Sequence, residues 1–169
     1  GIECENSLWI SRNMKGFGAP LKPMKRLGGK LGLPKTLVVP TVIVKEEDRN
    51  SLEAWQNGTG VPIHIWHAFY DYAYGLSFDR LQELIAEGSI EPTVQTFQAP
   101  GGAVSKKLIY KTPYHHAYQL ARSVGSPRLE ADSIVDANGH ILPYVRFSGG
   151  QLQLEPEGLT LLDSLAANG

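Results

Sequence analysis

The sequence predicts an α/β (or α+β) domain: a mixed central sheet flanked by helices, closed by a C-terminal antiparallel meander. Three observations predict it. Two β-branched apolar runs, TLVVPTVIVK (36–45) and VPIHIWHAFYD (61–71), alternate with helix-like segments. Ser77 to Gly88 carries a complete helix signature, with a cap, an apolar stripe and a glycine stop. Beyond residue 125, short alternating runs are separated by Gly-, Asn- and Asp-rich turns. At 169 residues the chain suits a single domain, 1–169, with 42% hydrophobic and 20% charged residues, an ordinary globular composition.

Taken in order, Ile2 to Glu5 reads as a short strand. The segment 6–35 is rich in Gly and Pro. A helix is expected in its first part, where Leu8, Trp9 and Met14 form a partial apolar stripe, followed by an irregular extended arm. Residues 36–45 read as a buried strand, although Pro40 removes one ladder donor. Glu46, Glu47 and Asp48 then suit the N-terminal end of a short helix over Ser51–Gln56. In 61–71, a second strand, Ile63, Ile65, His67 and Phe69 share one face, and His64, Trp66, Ala68 and Tyr70 the other. The next helix has Ser77 as cap, Phe78, Leu81, Leu84 and Ile85 on one side and Gly88 as stop.

Residues 93–98 and 106–111 are expected to pair around the turn Pro100-Gly101-Gly102. Thr112-Pro113 predicts a helix start, with Tyr114, Ala117, Tyr118 and Ala121 following. Residues 129–135, 140–147 and 151–154 form the predicted meander, turned at 136–139 and 148–150. Pro156 opens a last helix carrying Leu159, Leu162 and Leu165.

Charge is unevenly placed. Arg12, Lys15, Lys22, Lys25, Arg26, Lys30 and Lys35 fall in a stretch with no acidic residue. The remaining nine basic residues face all seventeen acidic ones, a balance of −8 within a net charge of −1. Such a block suits phosphate binding, or a solvated arm balanced by acidic groups elsewhere. Lys106, Lys107, Lys111 and the pair His115-His116 form a second cationic cluster. Gln95, Gln98 and Asn138 are of a type that can bond adenine edges. Tyr114 and Tyr118 read as core residues.

No apolar run reaches membrane-span length, and no signal-peptide pattern opens the chain. The one cysteine, Cys4, has no internal partner for a disulfide, which favours a reducing, cytoplasmic setting. His64 and His67, three apart on a strand, point to opposite faces and make a poor metal pair. Glu3 and Glu5 are different. Two apart on a strand, they share a face, and like charges so placed repel unless a cation or water intervenes. A carboxylate pair beside a basic arm is suited to Mg²⁺, which takes one or two carboxylates plus phosphate oxygens. Such an ion polarises a scissile phosphate, while the arm neutralises backbone phosphates.

The order IECENS (2–7), a basic arm, PTVIVKEED (40–48) and PIHIWHAFYD (62–71) resembles the core of PD-(D/E)XK nucleases, most of all type II restriction endonucleases. The resemblance covers about residues 1–90. It implies a restriction-endonuclease-like fold in which Glu3-Cys4-Glu5 is the second motif, on a central strand, in the variant where Glu replaces Lys. Glu3 is then the metal ligand, and Glu5 orients or deprotonates the attacking water. Lys45, on the following strand, is a more distant candidate for the displaced cation, and an exposed strand-end lysine is its other and preferred reading. The first-motif Asp has no counterpart before Gly1. The expectation is therefore the C-terminal part of a longer nuclease chain, with a core at 1–90 and an accessory or recognition region at 91–169.

The expected activity is Mg²⁺-dependent hydrolysis of double-stranded DNA, with catalytic Glu3 and Glu5. The expected DNA contacts are Arg12, Lys15, Lys22, Lys25, Arg26, Lys30, Lys35, Lys106 and Lys107. A homodimer would match palindromic sites. Two other readings remain open: a non-catalytic DNA-binding module using the arm, and a protein-interaction or structural domain whose arm meets an acidic partner.

Overall fold

The computed structural model describes residues 1–98 and 104–167; the turn Pro100-Gly101-Gly102 and the side chains of Gln98 and Leu165 lie outside the described residues. The protein is a mixed α/β structure with a mixed sheet. Its main sheet has five strands: β1 (Ile2–Asn6), β5 (His64–Ala68), β6 (Tyr72–Ser77), β9 (Tyr118–Gly125) and β12 (Gln151–Leu154), in that spatial order. β1 runs parallel to β5, and all the other neighbours are antiparallel. Between β1 and β5 the chain makes the small ladder β2 (Lys22–Pro23) and β3 (Leu31–Gly32), then strand β4 (Thr41–Lys45) and helix α1 (Glu46–Thr59). β4 belongs to a second, three-stranded antiparallel sheet, in the order β4, β8 (Val104–Pro113), β7 (Pro92–Gln98).

The core lies between these sheets. Ile65, Tyr74 and Leu76 of the larger sheet, with Ile63 and Phe69 at the two ends of β5, meet Val42, Val44 and Tyr110 of the smaller. Helix α2 (Phe78–Ala86) closes the layer with Phe78, Leu81 and Leu84. The Ser77 hydroxyl accepts a bond from the Arg80 amide, and Gly88 has φ +68°, so both expected helix signals are in place. Leu81 is fully buried, and Leu81→Ala is expected to cost about 2–5 kcal/mol, checked by urea unfolding. The other face of the larger sheet receives α3 (Pro156–Ala167), whose Gly158 sits against the Leu120 backbone.

Several expectations are corrected. The helix proposed for the start of the arm is a single 3₁₀ turn, Ser11–Asn13, and Trp9 stays 68% exposed. The stripe of Leu8, Trp9 and Met14 has no apolar surface long enough to reward a helix there. The strand at 36–45 shortens to Thr41–Lys45, because Pro40 has no amide to give. Its carbonyl instead accepts a bond from the Tyr114 amide. The helix after it is longer than Ser51–Gln56: it runs from Glu46, so the acidic triplet forms its first turn.

The run 61–71 is only β5 plus a turn, and it leads straight into β6, a strand the sequence does not announce. Gly75 hides it, since an interior glycine weakens a strand pattern. Here the glycine is required: a Cβ would lie 2.1 Å from the Tyr118 ring. Gly75→Ala is therefore expected to push out Tyr118 and break the bonds its hydroxyl makes with Trp66 Nε1 (2.9 Å) and His64 Nδ1 (3.1 Å). A loss of about 1–3 kcal/mol, with a changed tryptophan fluorescence spectrum, is the outcome to measure.

The helix predicted from Thr112-Pro113 is also corrected. One 3₁₀ turn, Tyr114–His116, links β8 to β9. Tyr118 to Ala121 has helical spacing of apolar residues, yet pairing with β6 claims its backbone. Tyr114 stacks on Phe17 (5.6 Å between ring centres) and packs on Tyr74 (5.3 Å), so it is half-buried packing as expected.

The C-terminal strands are real but do not form one meander. β10 (Arg128–Val135) and β11 (Ile141–Ser148) make a separate hairpin, and β12 leaves to pair with β9. Asp136 closes the hairpin turn by accepting from the amides of Asn138 and His140, with Gly139 at φ +84°. Pairing puts Leu129, Ala131, Val135, Ile141, Val145 and Phe147 on one face. The other face carries Arg146 between Glu130 and Asp132.

Candidate functional site

Among the described residues β1 pairs on one side only, through a parallel ladder in which Glu3 faces Ile65 and Glu5 faces His67. The resemblance implies a central strand for this motif; here β1 is at the edge of the described sheet. Alternation along the strand puts Glu3 and Glu5 on the core face, with Cys4 on the other. They do not open on one depression. Glu3 lines a shallow hollow of ≈ 220 Å³ with Leu52, Trp55 and Ile63. Glu5 lines a larger cavity of ≈ 340 Å³ with Ser7, Trp9, Lys45, His67, Gln95 and Lys111.

Strand β4 delivers Lys45 to this cavity. Its ammonium lies 3.8 Å from the Glu5 carboxylate and 3.4 Å from that of Asp48. Partial burial works against the charge, but Asp48 and Glu5, with Glu47 behind them, outweigh it and raise the Lys45 pKa. Lys45 is thus a cation held at the carboxylate, not a free strand-end lysine.

His67 is the second group that one-dimensional reasoning passes over. It is 5% exposed, stacked on Phe69 at 4.6 Å, and its Nδ1 is buried with no hydrogen-bond partner among the described residues. Desolvation lowers its pKa to about 4, so the ring is neutral near pH 7. Between that value and the ordinary 6.5, the unfolded chain takes up a proton that the folded chain refuses. Stability held above pH 6.5 is therefore lost as pH falls towards 4, by about 3 kcal/mol. His67→Phe should remove this share of the acid sensitivity, and urea midpoints at two pH values, one near neutrality and one near the lowered pKa, measure it. His64 faces the other side of the strand, where burial lowers its pKa.

A second cavity of ≈ 720 Å³ adjoins the first. Val39, Thr41 and Lys111 line both, and Arg26, Lys35 and His116 line only the second. Lys111 thus stands between the Glu5 cavity and the one lined by Arg26 and Lys35 of the basic arm.

No protein-family model, curated protein or solved structure matches the chain.

The arm itself is partly neutralised. Arg12 binds Asp71 at 3.1 Å. Arg26 binds Glu91 at 2.6 Å and the Leu33 carbonyl at 2.8 Å, and Lys35 lies 3.9 Å from the same Glu91. Lys30 donates to the Glu87 carbonyl, and Lys107 pairs with Glu47. Lys15, Lys22, Lys25, Lys106 and Lys111 are exposed and make no ion pair among the described residues, so they are the cations free to meet a phosphate. Asn138 gives only its backbone amide to the hairpin turn and its side chain is exposed, whereas Gln95 lines the Glu5 cavity. His115 Nε2 lies 2.7 Å from the Ala19 carbonyl, which ties the arm to the turn before β9.

No group of three or more His, Cys, Asp or Glu among the described residues is arranged to hold a metal. A divalent cation would have to take one or two protein ligands here and the rest from water and phosphate, the usual pattern for Mg²⁺ at phosphoryl sites. Glu5, which opens on a solvent-accessible cavity, supplies a carboxylate of that kind. No helix among the described residues is long and apolar enough to cross a membrane.

Proposed function

We propose that the chain is a Mg²⁺-dependent endonuclease acting on double-stranded DNA, of the type II restriction kind. The observation that carries this is the Lys45 ammonium 3.8 Å from Glu5. The carboxylate and cation that a local Glu-x-Lys motif sets two residues apart are here assembled from β1 and β4. Parallel β1 and β5, joined through a crossover containing α1, support the restriction-endonuclease-like fold of the resemblance.

In this reading Glu5 orients the attacking water and accepts its proton. Lys45 offsets the charge that builds on the phosphate oxygens. Mg²⁺, held by Glu3 or Glu5, would add Lewis-acid polarisation of the phosphate. Lys111 and the unpaired arm lysines hold the flanking backbone. A homodimer would suit a two-fold recognition site, and the exposed apolar face of the β10–β11 ribbon is a surface of the sort such contacts use.

Plasmid cleavage with Mg²⁺, set against the same reaction with a chelator, tests the proposal. Cleavage that needs the metal supports it, and no cleavage under either condition overturns it. A metal-free DNA-binding module is the second reading, favoured if the Lys45–Glu5 contact is an ion pair complete in itself. It predicts gel retardation that weakens steeply with salt and no cutting. Each of Lys22→Ala, Lys25→Ala and Lys111→Ala should lower the salt slope by about 1 if that lysine meets a phosphate.

A further inference from the structure

We propose that His67 is a nitrogen ligand for a divalent transition metal held beside Glu5, so that the cavity takes Mn²⁺ or Co²⁺ as well as Mg²⁺. The inference rests on the reading of Glu5 given above and names a donor that reading does not contain. Glu5 and His67 are register partners on adjacent parallel strands, so their side chains leave the sheet on one face from backbones ~4.8 Å apart. Both line the same cavity. A buried histidine normally gives or accepts a hydrogen bond at each ring nitrogen, and leaving one unmade is unfavourable. His67 Nδ1 has none among the described residues, while stacking on Phe69 fixes the plane of the ring.

A neutral imidazole is the form that binds metals. It is a poor match for Mg²⁺, which prefers oxygen, and a good one for the softer first-row ions. Neither ammonium that lines the cavity blocks such a site, since Lys111 is exposed to water and makes no ion pair with Glu5 among the described residues. Asp48 already lies closer to Lys45 than Glu5 does, at 3.4 Å against 3.8 Å, so Lys45 stays paired when Glu5 turns to a metal. His64 is no competitor, because it faces the opposite side of β5 and meets the Tyr118 hydroxyl.

The test is Mn²⁺ binding to the whole chain, followed by calorimetry and by electron spin-echo modulation, which detects a directly bonded nitrogen. Wild-type protein should show ¹⁴N modulation that changes when histidine is ¹⁵N-labelled. His67→Phe and, as a second variant, His67→Gln should lose the nitrogen signal. Mn²⁺ affinity should fall about tenfold or more in both, with Mg²⁺ affinity little changed. An Mn²⁺ complex with no nitrogen signal, or a signal that survives in both variants, overturns the proposal. If Mn²⁺ binds through oxygen alone and Glu5→Gln abolishes it, His67 falls while the reading of Glu5 stands. If Mn²⁺ does not bind at all, both fall.

Discussion

Glu5→Gln is expected to lower Mg²⁺-dependent DNA cleavage by about 10²–10⁴-fold, the range typical for removing a general base. The amide keeps the shape of the side chain and its place opposite His67 but cannot accept the water's proton and offers a cation no negative charge. Lys45 remains paired with Asp48, so the fold should survive. DNA affinity measured without metal should stay the same or rise, since one negative charge leaves the cavity. The control is Glu3→Gln. Glu3 is exposed in its own hollow against Leu52 and Trp55, so comparing the two variants shows which carboxylate the metal needs. Cleavage at the wild-type rate by Glu5→Gln would remove the catalytic assignment. Lys45→Met tests the other half of the pair: it should slow cleavage while leaving metal affinity unchanged or improved.

Asp71→Ala should be among the most damaging substitutions for stability, at about 2–5 kcal/mol from two stranded amide donors. Asp71 is 3% exposed at the start of the β6 hairpin arm. Its carboxylate accepts from the amide of Ser11 (2.6 Å), the amide of Arg12 (3.1 Å) and the Arg12 Nε (3.1 Å). Removing it strands two backbone donors, one of them in fully buried Ser11, and releases the only 3₁₀ turn that ties the front of the arm to the main sheet among the described residues. For a domain of this size the melting temperature should drop by roughly 10 °C. Arg12→Ala should cost much less, because the guanidinium is mostly in water and exposed ion pairs contribute little. Thermal unfolding of the two variants side by side decides the matter: equal losses would mean that the ion pair, not the amide bonds, holds the arm. Under the proposed nuclease reading, cleavage should suffer in parallel, since Trp9 and Met14 of the same segment line the Glu5 cavity.

The parts of the fold that could be read in advance are those with short-range causes. Ser77, Leu81, Leu84 and Gly88 specify α2 within a dozen residues, and Asp136 to Gly139 specify the β10–β11 turn. The failures also have local explanations. Tyr118, Leu120 and Ala121 read equally well as a helix face, and only the vacancy beside β6 makes them a strand. Gly75 looks like a strand breaker until the Tyr118 ring is found where its side chain would be. In the candidate site, the shared face of Glu3 and Glu5 was legible because alternation on a strand fixes it. Their separation into two hollows was not, since α1 packs Leu52 and Trp55 against one and β4 turns Lys45 to the other. The arm's seven cations were visible as a block, but which of them are spent on Asp71, Glu91 and a carbonyl is a matter of distant partners.

By itself the sequence determined the class of the fold, most of its helices and turns, and the face on which the two acidic side chains lie. These follow from periodicity, capping and turn chemistry, which act over a few residues. Only the tertiary structure decided that Lys45 and His67 stand beside Glu5, because strand order and register bring them together and neither is encoded in the residues around position 5.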